Sequence, residues 1–448
     1  MIGYYFRLAL ASFRRNPGLT ALMVMAIAVG IGVCVMAMTI YHGMSGNPIW
    51  WKSDQLYAAT LDNWSVTEPA DDRRPTLPPD QITYRDAQAL RRSDIPKHTV
   101  VMYRTAGVIS GQGPNGAIAP LNAATRVTTG DFFRMFDVPF RYGRGWDAKA
   151  DADPQPVLVL SAEMNNRLFG GTDSVGRTLR WNDREFRIIG VLDDWQPMPR
   201  FYDLNSGAFV SPEDVYIPWH WGETLELPAY GSSNCWKPDV KSFKDLLVSE
   251  CVWIQAWVEL PNGTARARMQ AFLDAYTDNE RRAGRFARPR NNRLTDVEQW
   301  LKDQQVVQSD NRVLVGLSFT FLTVCLINTV GLLLAKFLNG ASISGVRRAL
   351  GASRRDLFLQ HMVEVGVIAC FGALFGLGLG ALGLKGFRAL YELNSKFGAS
   401  GGLQALAHID HASVLIAIVF ALIATFAAGI YPAWRIGRIQ PAVYLKNQ

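Results

Sequence analysis

Apolar residues are gathered in four long runs instead of being spread along the chain. No Asp, Glu, Lys or Arg occurs between Arg15 and Lys52, and the core of that run, Thr20 to Gly43, reads TALMVMAIAVGIGVCVMAMTIYHG. Val313–Ala335 (23 residues), Val365–Leu384 (20 residues) and Ala412–Trp434 (23 residues) are uncharged as well. A helix rising 1.5 Å per residue needs about 20 apolar residues to cross a bilayer core, so the pattern predicts four membrane-spanning helices. A cleaved secretory leader has an apolar stretch of only about 7–15 residues, which assigns the first run to a retained span.

Between the first and second runs the period changes. Asp80–Arg92 has helical spacing and His98–Arg104 reads as a strand; Pro156–Ser161 (PVLVLS) and Glu185–Leu192 (EFRIIGVL) are short strand-like runs around a helical segment, Ala162–Phe169. Cys251–Leu260 (CVWIQAWVEL) is a further strand, followed by an amphipathic helix over Ala265–Glu280. The helix and strand before residue 106 resemble those after Cys251, so a β-rich insertion over 106–249 is expected between two halves of one small domain. The fold class is therefore an integral membrane α-helical chain, four transmembrane helices in a 1+3 layout, with a large α+β extracytoplasmic domain between helices 1 and 2. The segments expected are an amphipathic terminus (1–18), helix 1 (19–42), the outer domain (43–311), helix 2 (312–336), a connecting segment (337–364), helix 3 (365–384), a loop (385–411), helix 4 (412–434) and a tail (435–448).

Charge sets the orientation. Of 448 residues, 46 are Lys or Arg and 39 Asp or Glu. Arg7, Arg14 and Arg15 precede the first span, Lys336, Arg347, Arg348, Arg354 and Arg355 follow the second, and Arg435, Arg438 and Lys446 follow the fourth. The loop between spans three and four holds only Lys385, Arg388 and Lys396. By the positive-inside rule both termini and the 337–364 segment face the cytoplasm. The alkaline pI of about 9.1 then reports contact with an anionic inner leaflet, not nucleic-acid binding. The basic run Arg281, Arg282, Arg285, Arg288, Arg290 and Arg293 lies in the outer domain and is expected to form a solvated face or a partner contact.

Candidate chemistry is sparse. Cys235 and Cys251 are the two cysteines outside the spans, and in an oxidising compartment they are disulfide candidates closing a loop worth on the order of 3 kcal/mol. Gly171–Thr178 imitates a phosphate-binding loop, with Arg177 where Lys belongs, but it follows a helix and precedes a strand, the reverse of the order that loop requires. His408, Asp410 and His411 offer too few convergent ligands for a metal. In the third span Gly372, Gly376 and Gly380 fall in small-xxx-small register, and Asn328 in the second is a polar group that seeks a partner; both point to helix packing. With no acid or base inside a span, a proton-driven carrier is not expected, and no catalytic constellation is recognisable.

Several segments carry a family resemblance. Val127–Trp146 (VTTGDFFRMFDVPFRYGRGW), Val157–Gly171 (VLVLSAEMNNRLFGG), Asp173–Asp194, Ile343–Glu364 (ISGVRRALGASRRDLFLQHMVE) and Tyr431–Lys446 (YPAWRIGRIQPAVYLK) together resemble the MacB/FtsX-like ABC-transporter permeases, the mechanotransmission or type VII systems. The resemblance extends over essentially the whole chain. It implies an inner-membrane permease, not itself an enzyme, with a periplasmic domain that works with a second permease, identical or homologous. With about 18 residues before the first span and about 14 after the last, too few for a domain of ordinary size, ATP and Mg are expected on a separate ABC ATPase dimer and no cofactor on this chain. A periplasmic adaptor and an outer-membrane duct are further expected partners, along with membrane lipids; nucleic acid is not.

Within Ile343–Phe358 the residues Val346, Ala349, Leu350 and Leu357 can present an apolar face to an ATPase groove while Arg347, Arg348, Arg354 and Arg355 meet acidic protein; Gly351 sits in the same segment. A basic lipid anchor explains the charge as well; the family analogy favours the ATPase. The function implied is ATP-driven conformational change exporting peptides, antibiotics or other amphiphiles. Lipoprotein release of the Lol kind, or FtsX-like regulation of a periplasmic partner, is the alternative.

Overall fold

The computed structural model describes residues 2–113, 116–153, 155–237, 240–306, 309–340, 345–348, 350–395 and 411–437. They divide into two compact units, Gly46–Val306 and the combination of Met1–Ser45 with Val307–Gln448. The helical unit begins with α1 (Ile2–Arg15) and α2 (Pro17–Ser45). The other unit contributes α3 (Tyr84–Arg91), α4 (Asp131–Met135), α5 (Ala148–Ala152), α6 (Ala162–Phe169), α7 (His220–Thr224), α8 (Phe243–Val248), α9 (Gly263–Arg282) and α10 (Val297–Asp303). After it come α11 (Ser309–Asn339), α12 (Arg354–Ser395) and α13 (His411–Gly437).

The Gly46–Val306 unit is organised on one sheet. Its strands are β1 (Leu56–Thr60), β2 (His98–Gly113), β3 (Gly116–Thr128), β4 (Phe140–Gly143), β5 (Val157–Leu160), β6 (Thr178–Trp181), β7 (Arg184–Leu192), β8 (Val215–Pro218), β9 (Gln255–Glu259) and β10 (Arg293–Asp296). The order is β10-β1-β9-β2-β3-β8-β5-β7-β4, with β6 paired to β2 and β7. Strands from the two ends of the unit lie side by side: β1 is antiparallel to both β9 and β10, and β9 pairs with the first residues of β2. β2 does not stop at residue 106. It runs on to pair with β3 as far as Gly113, so the β-rich middle extends the sheet of the flanking halves instead of forming a separate body.

Side chains alternate across this sheet, and both faces are covered. Tyr57 and Ala59, Val101 and Tyr103, Leu158 and Leu160, and Ala256 and Val258 enter one core. Their neighbours Leu56 and Ala58, Val100 and Met102, Val157 and Val159, and Trp257 enter the other. Burial on both faces is why these strands read as unbroken apolar runs. The helices start where polar caps satisfy free amides: Thr83 accepts from Asp86 N, Ser161 from Met164 N and Asn262 from Ala265 N. α6 ends at Gly170, whose positive φ of 65° suits glycine.

Two buried ionic clusters lie within the unit. Arg126 Nη2 donates to Asp203 Oδ2 at 2.7 Å and also to Glu213, and Arg200 Nη1 donates to Glu213 Oε1 at 2.9 Å, all four side chains being inaccessible to solvent. The second cluster corrects the expectation for the basic run at Arg285 and Arg288, whereas Arg282 and Arg290 are exposed. Arg285 is buried and bonds Asp86, Glu250 and Glu280 at 3.0, 2.6 and 2.7 Å, and Arg288 pairs with Asp62 at 3.3 Å. Asp62, Asp86 and Glu250 come from far along the chain, which composition does not reveal, while Glu280 lies on the neighbouring end of α9.

Burial pushes the Asp203 carboxyl up, but Arg126 and Arg200 outweigh it and bring it down from 3.8 to about 2. Glu213 is lowered by the same two guanidiniums against its own burial. A carboxyl depressed in the folded state contributes stability that is complete above its unfolded pKa and is lost as pH falls through the folded one. The unit is thus expected to lose stability from about pH 4 toward pH 2. Asp203→Asn should flatten that acid limb and, at neutral pH, cost about 3–5 kcal/mol by leaving a buried guanidinium uncompensated. Denaturant titrations of the full chain followed by tryptophan fluorescence measure both, since all but Trp434 of the 13 tryptophans belong to this unit. An acid limb unchanged in Asp203→Asn would assign it to other groups.

Cys235 and Cys251 are disulfide-bonded across a sequence separation of 16, a loop for which chain-entropy arguments give about 3 kcal/mol.

Among the described residues, the helical unit contains three helices long and apolar enough to cross a bilayer: Pro17–Ser45, Val313–Asn339 and Arg354–Phe387. The fourth apolar run lies on α13. Met23, Ile27, Ile31, Cys34 and Val35 of α2 form the centre of its core, against Leu322, Leu326 and Leu333 of α11 and Val365, Ile368 and Ala373 of α12.

Candidate functional site

Among the described residues, the stretch 343–358 is not one amphipathic helix but is interrupted before α12. Residues 345–348 are helical, and the turn that follows closes with Ala352 N donating to Arg347 O at 3.0 Å and Gly351 N to Arg348 O at 3.1 Å. That pair of bonds is a Schellman ending, which needs a left-handed residue after the helix. Gly351 supplies it with φ 101°. Ser353 then starts α12: its hydroxyl accepts from Asp356 N at 3.2 Å while Asp356 Oδ2 accepts from Ser353 N at 3.0 Å, a reciprocal cap.

This break separates the residues expected to share an apolar face. Leu350 is 83% exposed and Val346 46%, whereas Leu357 is only 2% exposed and packs into the bundle. Leu357 is therefore not part of a docking face, because it belongs to α12 beyond the break. Ala349 lies outside the described residues. Arg347 Nη1 donates to Gln360 Oε1 at 2.7 Å, tying the short helix to α12. Arg348 is half-buried, and Arg354 and Arg355 are exposed on the first turn of α12.

α11, which ends at Asn339, and α12, which starts at Arg354, flank this turn and meet α1 and α2 at a buried ionic node that the sequence did not announce. Lys336 near the end of α11 pairs with Glu364 of α12 at 2.7 Å, both side chains nearly inaccessible. Ser12 of α1 donates to Glu364 Oε1 at 2.5 Å, and Lys336 Nζ donates to Thr20 of α2 at 3.1 Å while lying 4.9 Å from the Phe13 ring. His361, also buried, packs on Phe337 at 4.2 Å. Lys336 and Glu364 are the residues immediately flanking two of the uncharged runs. A linear reading makes them boundary markers; only the fold brings them together.

The glycines of α12 face α2. A Cβ added at Gly372 would lie 2.6 Å from Ile27 Cγ2, at Gly376 2.8 Å from Ile31 Cβ and 2.9 Å from Ala28 O, and at Gly380 3.4 Å from Gly32 O. The same seam uses Gly32 of α2, whose added Cβ would meet Gly376 O at 3.1 Å. The register thus packs two helices of one chain. Asn328 is on an exposed face of α11 beside Ile327 and Val324.

Other motifs find local explanations. The 171–177 segment is a loop tied to α6 by Asn165, Ser174 Oγ donating to Asn165 Oδ1 at 2.6 Å and Asn165 Nδ2 to Thr172 O at 2.9 Å. His408 and Asp410 lie outside the described residues and His411 begins α13. Among the described residues no group of three His, Cys, Asp or Glu is placed to hold a metal ion.

Comparison with known proteins gives two family matches. The model for the MacB-like periplasmic core domain matches residues 20–276 and that for the FtsX-like permease C-terminal region residues 315–441. The macrolide export ATP-binding/permease protein MacB of Nitrobacter winogradskyi is 24% identical over 437 residues, 97% of this chain and 59% of that protein. The protein of the same name from Azoarcus sp. is 20% identical over 449 residues, 99% of this chain and 59% of its own length. The chain thus spans about 59% of the length of these relatives. The periplasmic region of MacB from Actinobacillus actinomycetemcomitans is similar to 58% of this chain and covers 96% of that structure, at 13% identity and a TM-score of 0.36.

Proposed function

This chain belongs to the MacB/FtsX-like ABC permeases, its MacB-like core match alone taking in more than half its residues, and on that premise we propose that it is the membrane subunit of an ATP-driven machine. In this reading ATP and Mg are held by a separate ATPase dimer, and the chain itself performs no nucleotide chemistry. The helix at 345–348 and Leu350 dock on that ATPase on the cytoplasmic side. Nucleotide-driven closure of the ATPase moves α12 and, through it, α2 and α11. Those two helices connect in sequence to the periplasmic unit, so its conformation changes without cargo crossing between the spans. Four spans with both termini in the cytoplasm and a second permease complete the arrangement.

The observation that carries the reading is Leu350. A leucine 83% exposed on a turn fixed by a helix cap and by the Arg347–Gln360 bond is an apolar contact presented at constant position. The arginines around it fit acidic protein as well as lipid.

The cargo class that follows is a peptide, antibiotic or other amphiphile, passed on with a periplasmic adaptor and an outer-membrane duct, by analogy with relatives named for macrolide export. Purification of the chain from native membranes under mild conditions is the direct test. An ABC ATPase should copurify, and its ATP turnover should rise in the complex relative to the ATPase by itself. Recovery of a fully active chain with no ATPase would end this reading.

A further inference from the structure

We infer that the Lys336–Glu364 ion pair is a positioning pair that makes α2 and α11 follow α12, so that its loss uncouples ATP turnover from the outer unit while leaving the ATPase contact intact. The inference rests on the ATPase reading above and assigns its mechanical step to two residues.

α12 is a continuous helix from Arg354, so a displacement at its first turn is delivered about 15 Å along the axis to Glu364. There the carboxylate meets Lys336 of α11 at 2.7 Å and Ser12 of α1 at 2.5 Å, and Lys336 in turn meets Thr20 of α2 at 3.1 Å. One ionic node therefore links all the helices that must move together.

Its chemistry differs from that of the contacts around it. Apolar side chains slide past one another at small cost, whereas a buried charge separated from its partner is left in a medium that solvates it poorly. The node thus resists relative displacement of the helix ends even though Ile27, Ile31, Leu322 and Ile368 hold the helices together by packing. Because that packing is independent of the charges, the pair is dispensable for association and needed for alignment.

The pair also flanks the docking turn. α11 runs to Asn339 and α12 starts at Arg354, so Lys336 and Glu364 tie together the two helices that carry the turn, and with the tie in place a motion of the turn is delivered to both helices at once.

The test uses the full permease with its ATPase in lipid nanodiscs, measuring stimulated ATP turnover and the ATP-dependent change in hydrogen exchange of residues 46–306. The variants are Lys336→Met, Glu364→Gln and the reversed pair K336E/E364K. Each single variant is expected to keep turnover within about twofold of wild type while the exchange response falls about fivefold or more, and the reversed pair to recover more than about half of it. Equal losses of turnover and response, as from general destabilisation, overturn the inference. So does a full response in both single variants, or a reversed pair that behaves no better than they do. A wild-type complex with neither stimulation nor response overturns the ATPase reading itself and this inference with it, which separates the two failures.

Discussion

Leu350→Asp is expected to abolish stimulation of the partner ATPase while leaving membrane insertion and the bundle intact. The side chain makes no contribution to this chain's own core, being 83% exposed. An apolar anchor at the centre of an interface is worth about 2–4 kcal/mol when truncated, and a carboxylate adds the cost of desolvating a charge. Even the lower figures correspond to roughly 30- to 700-fold weaker docking. Leu357→Ala separates this from a packing effect. Leu357 is buried within the bundle, so its truncation should lower stability by about 2–5 kcal/mol while the residual folded protein still stimulates turnover. The measurement is ATP hydrolysis by the ATPase titrated with each purified variant. Stimulation by Leu350→Asp at wild-type concentrations would remove the docking role from this turn.

Gly376→Leu should have the largest structural effect in the helical unit. Even the first carbon of a side chain at that position would sit 2.8 Å from Ile31 Cβ and 2.9 Å from the Ala28 carbonyl. Neither is the end of a flexible chain, so α2 and α12 must move apart. Overpacking of this kind costs about 1–3 kcal/mol, and close approach is what drives association of helices in lipid. Gly378→Leu is the control, because an added Cβ there meets nothing within 4 Å. Gly380→Ala, at 3.4 Å from its neighbours, should be nearly neutral. Cysteine cross-linking between α2 and α12, with unfolding in mixed micelles, reads the series. A Gly376→Leu protein as stable and as readily cross-linked as Gly378→Leu would show that the seam tolerates separation.

What could be read from the linear chain was what repeats locally. The uncharged runs mark the helices; the strand at 157–160 appears because burial on both faces removes polar residues from every position, and that at 184–192 because exposed Arg184, Glu185 and Arg187 give way to a buried apolar end. α6 was legible to the residue, since Ser161 and Gly170 punctuate it. The site was less visible. The docking segment looked continuous because its apolar spacing persists through Gly351 and Ser353, although one ends a helix and the other begins the next. Lys336 and Glu364 were hidden by their positions at the edges of apolar runs, where charge ordinarily meets water and headgroups. Arg285 was hidden among five other arginines, since nothing in a basic run tells which member faces Asp86, Glu250 and Glu280. The two ion-pair sites depend on partners far away in sequence, about which periodicity carries no information, whereas the break at Gly351 and Ser353 is local and is signalled by the glycine and by the Ser353–Asp356 cap.

Ser12 and Glu364 are 352 positions apart, and that interval has a meaning on the ribosome. At about 5–20 residues per second, roughly 20–70 s of translation separate the two. The first membrane-length helix, α2, must therefore reside in the bilayer through the synthesis of the whole sheet-forming unit before its neighbours α11 and α12 exist. Its uniformly apolar surface fits it for that solitary interval. The nascent chain can finish β10, and with it the sheet, while the bundle still lacks α11, α12 and α13.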